Sequence, residues 1–304
     1  MTPEELLAVV AWLYYKEGLT QERIARRLGL SRVKVTRLLA RAREEGVVEF
    51  RITRPLPERF RLEEALLRRF GLAGAVVAEG ERDLGPAAAE FLARELAPGC
   101  RLGLGWSTTV RRMAPYLYAP RGPLGGEVVE LVGSFLGQEN PYSISARAAE
   151  ALGCRLVPLP APVLLSNPRA LAALLEEPGI RRGLEAARGT RLAVVGVGRL
   201  DPEGTLVKTG MLTREEAERL RREGAVGDVL MRFFDASGRP LATSLDERVL
   251  ALGWEDFLRI PRRVAVAAGP AKVPVLRAAL AGGLFTDLVT DAATARALLE
   301  EGAT

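Results

Sequence analysis

The sequence predicts two domains of different class: an all-helical unit of the helix-turn-helix type over residues 1–54 and a larger α/β unit over residues 55–304. Three observations predict this. Positive charge is concentrated near the N-terminus, where residues 1–54 hold 11 basic and 7 acidic side chains, net +4, while the other 250 residues hold 32 and 31. In the same segment the apolar residues recur at helical spacing around a glycine-containing turn. Beyond Gly71 short runs rich in Val and Leu, bounded by Gly, alternate with amphipathic stretches, the pattern of a mainly parallel sheet between helices.

Residues 4–17 place Leu6, Val9, Val10, Leu13 and Tyr14 on one helical face, and Gly18 ends that helix. Thr20 caps a second helix, residues 21–28 beginning at Gln21, which turns Ile24, Ala25 and Leu28 inward. Gly29-Leu30-Ser31 is a tight turn, Ser31 caps a third helix over 32–45, and Gly46 stops it. Val35, Leu38, Leu39 and Ala42 face the core of this unit, leaving Arg32, Lys34, Thr36, Arg37 and Arg41 outside. Between Arg23 and Arg43 stand eight basic residues and no acid. Such a stripe is a solvated helix face or a nucleic-acid footprint, and the turn geometry favours the second. Arg32 and Arg37 suit a guanine edge, Thr36 a base or phosphate, and Arg26, Arg41 and Arg43 the phosphate backbone. Residues 47–52 alternate enough to form a short strand or wing.

Arg54-Pro55-Leu56-Pro57 interrupts both periodicities and marks a hinge. Residues 58–70 form an amphipathic linker helix that pairs with a second copy or packs on the next domain. Strands follow at 75–78, 101–104, 128–132, 192–195, 228–234, 264–268 and 287–289; helices follow at 87–96, 108–118, 145–152, 168–175, 214–223, 274–281 and 292–300. Ligands in such sheets bind beyond the carboxyl ends of the strands. Four strand ends are chemically suggestive. Residues 103–109 join a strand to a helix through small and hydroxyl residues, an anion loop or an ordinary capped turn. Gly196 and Gly198 form a second loop, without the third glycine of a dinucleotide fingerprint. Asp228 follows Gly224 and Gly227, to bond sugar hydroxyls or cap a turn. Lys272, one of four lysines beside 39 arginines, follows Gly269.

Composition excludes much else. The chain has no histidine, which removes imidazole bases, Ser-His-Asp triads and His-ligated metals. Cys100 and Cys154 stand apart from other ligand-type residues, so neither a metal site nor a disulfide framework is expected, and a reducing cytoplasm suits them. There is no basic leader and no run of about 18 apolar residues, so no membrane partner is expected.

Leu13-Tyr14-Tyr15, Glu17 to Gln21, Ile24-Ala25, Leu28 to Arg32, Val35, Arg37 to Leu39 and Ala42 to Gly46 resemble the opening of the SorC family of bacterial transcriptional regulators. Gly103 to Thr109, Leu159 to Pro162, Gly224 to Asp228, Phe234-Asp235 with Gly238, Gly269 with Lys272, and Leu288 to Asp291 with Thr294-Ala295 are similar to that family's effector domain, in order. The resemblance implies a DNA-binding domain and a sugar-phosphate-binding domain related to ribose-phosphate isomerases and glucosamine-phosphate deaminases. It implies double-stranded operator DNA and a phosphorylated sugar effector as partners, no cofactor, and a homo-oligomer, dimer or tetramer. DNA contacts fall to Thr20, Gln21, Ser31, Arg32, Lys34, Thr36, Arg37 and Arg41. Gly105, Ser107, Thr108 and Thr109 hold the phosphate, Asp228 and Lys272 face the sugar, and Gly196 and Gly198 border it. Asn140, Ser143, Ser145 and Arg147 are further candidates. The Leu131-Val132-Gly133-Ser134 segment has no lysine where an aldehyde-sensing member would carry one. The competing reading is a sugar-phosphate isomerase or deaminase, with Asp228 as base and Lys272 as stabiliser; the missing histidine counts against a deaminase. A NAD-dependent enzyme would rest on incomplete glycine fingerprints.

Overall fold

The computed structural model describes residues 1–51, 53–134 and 144–300. The chain divides into two compact units, Met1–Leu56 and Pro57–Thr304.

The first unit holds α1 (Pro3–Tyr15), α2 (Gln21–Leu28) and α3 (Arg32–Glu44). A capping box starts α1, with Thr2 Oγ1 accepting from Glu5 N–H and Glu5 Oε2 accepting from Thr2 N–H. Thr20 and Ser31 cap α2 and α3, accepting from the N–H groups of Arg23 at 3.3 Å and Lys34 at 3.2 Å. Gly29, with φ +67°, ends α2 in the left-handed conformation that an L side chain avoids, and its N–H donates to Ala25. Val10, Leu13, Ile24, Ala25, Val35 and Leu39 form the core of the unit. The expected wing is not a strand: residues 47–51 are bends and coil, and Ile52 lies outside the described residues. Val48 N–H donates back to Ala42 at the end of α3, and Phe50 stands edge-on to Tyr15. With no neighbouring strand to pair among the described residues, the alternation of this segment reflects those local contacts.

The second unit begins with α4 (Glu58–Phe70), β1 (Gly74–Ala78), α5 (Leu84–Glu95), β2 (Arg101–Leu104), α6 (Thr108–Arg111), β3 (Glu127–Glu130), α7 (Ser145–Leu152) and β4 (Arg155–Val157). It continues through α8 (Pro168–Glu176), α9 (Pro178–Arg188), β5 (Leu192–Val195), β6 (Gly198–Arg199), α10 (Thr205–Lys208), α11 (Arg214–Arg222), β7 (Ala225–Val229) and β8 (Arg232–Asp235). Then come α12 (Trp254–Arg259), β9 (Arg262–Val266), α13 (Val273–Ala281), β10 (Asp287–Asp291) and α14 (Ala292–Leu299). Seven strands form a parallel sheet in the order β1-β10-β9-β5-β2-β3-β4, and β6-β7-β8 form a small antiparallel sheet.

Both faces of the large sheet are buried, so its strands read as continuous apolar runs. Leu192 and Val194 pack with α5 and α7 on one face, while Ala193 and Val195 pack with α9, α13 and α14 on the other. The linker helix packs inside its own unit: Leu62 and Leu66 of α4 are buried in the core that α14 shares. From β2 the chain moves outward to β3 and β4, returns to β5 on the opposite flank, and then moves the other way to β9 and β10. The strand order therefore reverses between β2 and β5, and a crevice opens at their carboxyl ends.

Two expected elements differ. The helix over 108–118 stops at Arg111, because Pro115 has no N–H and its ring would clash with the Arg111 carbonyl. The strand over 228–234 is a hairpin, β7 and β8, joined by Leu230 and Met231 at φ +56° and +59°. Asp228 therefore lies within a strand. The residue pattern missed this reversal because Leu-Met carries none of the Asn or Gly that such a turn normally uses. β4, α9 and the two-residue β6 also went unanticipated.

Candidate functional site

The reversal of strand order places a cleft of about 530 Å³, part of it open to solvent, between the ends of β2 and β5. Ser107, Thr108, Gly196, Gly198, Asp228 and Lys272 all line it. Gly105 and Thr109 stand outside the lining. The Gly105 N–H is committed to the sheet, donating to the Val194 carbonyl. A side chain on Gly105 would meet Leu230 at 2.5 Å, so this glycine makes room for a cleft wall. Thr109 is buried and accepts a hydrogen bond from Lys272 Nζ at 3.2 Å, which ties the lysine to the β2–α6 loop. Ser107 Oγ caps α6, accepting from Thr109 and Val110 N–H at 3.1 and 3.3 Å.

The loop that carries Lys272 is fixed by residues the sequence had marked only as landmarks. Gly269 adopts φ +108° and donates its N–H to Thr294 Oγ1 at 2.8 Å, while Asp291 caps α14 by accepting from Thr294 N–H. Asp228 is 8% exposed, and its Oδ2 accepts from the Met231 N–H at 3.1 Å across the hairpin turn. Its other oxygen lies against Gly198, where any Cβ would come within 1.8 Å. Gly196 is similarly close to Ser107 Oγ. Burial pushes the Asp228 carboxyl up to about 6, opposed by the Met231 N–H and the Lys272 ammonium. Burial also lowers the Lys272 amine from its ordinary value, partly offset by Asp228. An anion at the Lys272 end and a hydroxyl-bearing group at Asp228 would each meet a partner.

Sequence reasoning missed the rest of the lining: Trp106, Val132, Val195, Val197, Thr205, Leu206 and Leu230. Apart from Thr205, their types are those of core residues, and although Trp106 falls in the 103–109 loop only topology turns them toward the cleft. Lys208 lies away from the cleft and pairs with Glu203. Of the further candidates, Ser145 is buried at the start of α7 and Arg147 is exposed, while Asn140 and Ser143 lie outside the described residues.

On the first unit, Ser31, Arg32, Lys34, Thr36, Arg37 and Arg41 are all exposed along α3, opposite the buried Val35, Leu39 and Ala42. Thr36 also has a structural contact, its hydroxyl donating to Gln21 Oε1 at 2.8 Å and so bridging α2 to α3. Arg41 is held at 2.6 Å by Glu45, the C-terminal cap of α3, which positions the guanidinium away from the amino end of the helix. Val33, 62% exposed between Arg32 and Lys34, is an apolar member of this surface that charge counting passed over.

A sugar-binding-domain family model matches residues 54–300. The transcriptional regulator LsrR of Klebsiella pneumoniae is 34% identical over 98% of this chain and 94% of its own length. The erythritol catabolism regulatory protein EryD of Brucella abortus is 33% identical, over 97% and 96% of the two chains. The crystal structure of the full-length sorbitol operon regulator SorC from Klebsiella pneumoniae superposes with a TM-score of 0.75 at 28% identity, covering 99% of this chain and all of that one. The relatives are named as regulators, and the match runs through both the helical unit and the α/β unit. The chain belongs to the SorC family of sugar-binding transcriptional regulators.

Proposed function

We propose that α3 of this regulator enters the major groove of double-stranded operator DNA and that the switch-point cleft takes a phosphorylated sugar that alters operator affinity. The observation that carries the reading is the union, in one chain, of an exposed face on α3 bearing Arg32, Lys34, Arg37 and Arg41 with a cleft lined by Ser107, Thr108, Asp228 and Lys272. Arg32 and Arg37 address base edges, Thr20, Gln21, Ser31, Lys34 and Arg41 address phosphates, and Thr36 fixes α3 on α2. In the cleft Ser107, Thr108 and Lys272 receive the phosphate and Asp228 a sugar hydroxyl. Gly105, Gly196 and Gly198 keep the space clear, and Thr109 steers Lys272.

The protein acts in the cytoplasm as a homo-oligomer, dimer or tetramer, so that two copies of α3 meet half-sites about 34–36 Å apart. Binding of the sugar without conversion is expected, since the relatives are named as regulators. Electrophoretic mobility shift of DNA upstream of its own gene, with and without a panel of sugar phosphates, tests the proposal. A sequence-selective shift altered by one ester supports it, and no selective binding at low salt overturns it. Turnover of ribose 5-phosphate or a related ester at enzymatic rates would favour the isomerase reading instead.

A further inference from the structure

We infer that α3 reads a thymine beside a guanine, with Val33 against the C5-methyl group of the thymine and Arg37 on the edge of the guanine. This rests on the operator-DNA reading of the first unit. Two observations carry it.

The first is direction. Val35, Leu39 and Ala42 are the buried residues of α3. At roughly 3.6 residues per turn, Val33 points about 150° away from the mean direction of those three, so it stands at the crest of the outward face. It is 62% exposed there, in the first turn of the helix, the part of this motif that meets base edges. Arg32 and Lys34 stand to either side of the crest, and Arg37 lies one turn further along it, also exposed. The Cβ atoms of residues so spaced are about 5–6 Å apart, and stacked bases about 3.4 Å, so a valine over one base carries the longer guanidinium to its neighbour.

The second is which groups near the crest remain uncommitted. Thr36 shares its hydroxyl hydrogen between Gln21 Oε1 at 2.8 Å and the Arg32 carbonyl at 3.0 Å, so it has no donor left for a base. Arg41 is paired with Glu45. Arg37 has no ion pair among the described residues, and Val33 offers only methyl groups. In the major groove thymine alone presents a methyl group, and guanine presents the two acceptors that match a guanidinium fork.

Selection of duplexes from a random pool by the full-length protein, followed by competition binding with modified bases, tests the inference. The selected half-site should contain a thymine next to a guanine. Replacing that thymine by uracil removes the methyl group alone and should weaken wild-type binding about 4-fold per half-site, the worth of one buried methyl group. With cytosine in its place, methylation at C5 should strengthen binding by a similar factor. Val33→Ala should bind the thymine and uracil duplexes alike and, since the side chain is exposed, should keep the wild-type thermal melt. Arg37→Ala should lose the guanine preference and keep the uracil effect, which separates the two readers. Uracil without effect at every selected thymine, or an effect equal in the wild type and Val33→Ala, overturns the inference while leaving the operator reading intact. Failure of any sequence to be selected at low salt overturns the operator reading and this inference with it.

Discussion

Burial of one carboxylate gives a pH signature. Asp228 is neutral in both folded and unfolded chain below about pH 4; above that the unfolded chain ionises first, because burial holds the folded group at about 6. Between those values the folded state binds more protons, so its stability falls as pH rises, by about 3 kcal/mol in all, and the cost is complete above pH 6. Denaturant melts of wild type against Asp228→Asn between pH 4.5 and 7 should show this fall in the wild type alone. At Gly198 the clearance from Asp228 is so small that Gly198→Ala must displace the carboxylate. It should weaken effector binding at least about 10-fold, read by titration, while DNA binding without effector is retained. Asp228, Lys272 and the two loop glycines were legible as cleft residues because a carboxylate, a rare lysine and paired glycines stand out beside apolar runs. Leu230 was not, because a leucine in a cleft and a leucine in a core look alike until the chain has folded.

On α3, whose caps and core positions follow directly from residue type and spacing, the side chains divide by expected readout. Arg37→Ala should cost about 1–3 kcal/mol and relax base preference at one position, whereas Lys34→Ala should weaken all sequences alike and lower the salt slope by about one. Val33→Ala should reduce preference for a thymine, whose methyl group is the natural partner of an exposed valine. Binding assays on singly substituted operators at several salt concentrations separate the three. In the large sheet, Arg262 grips the fully buried Asp287 through two hydrogen bonds of 2.8 and 2.6 Å, fixing β9 beside β10. Asp287→Ala removes both bonds but leaves Arg262 its pair with Glu95 at 2.9 Å, and should cost about 1–3 kcal/mol in a denaturant melt. The long periodic α3 was readable, and so was β5, a wholly apolar run. The Leu-Met hairpin and the strand β4 were not, since the first violates turn chemistry and the second is only three residues long.

For the molecule as a whole, operator and effector must influence each other equally in free energy. A coupling of roughly 1–3 kcal/mol would change operator affinity about 5- to 150-fold, and saturating operator DNA must change effector affinity by the same factor. Measuring the effector titration with and without operator checks this; unequal factors would mean that the two are not linked through one equilibrium. The overall class was legible because a basic helical segment precedes alternating apolar and amphipathic runs. The location of the cleft was not, because it depends on which strands become neighbours.

That neighbour order also governs when the protein becomes complete during synthesis. Among the described residues β1 pairs only with β10, and α4 packs on α14, so elements made early wait for partners made last. The three-helix unit has its contacts within the first 56 residues and can close while most of the chain is still unmade. The ribosome therefore delivers a DNA-binding surface before the sensor that governs it, and a chain cut short before β10 would keep the former without the latter.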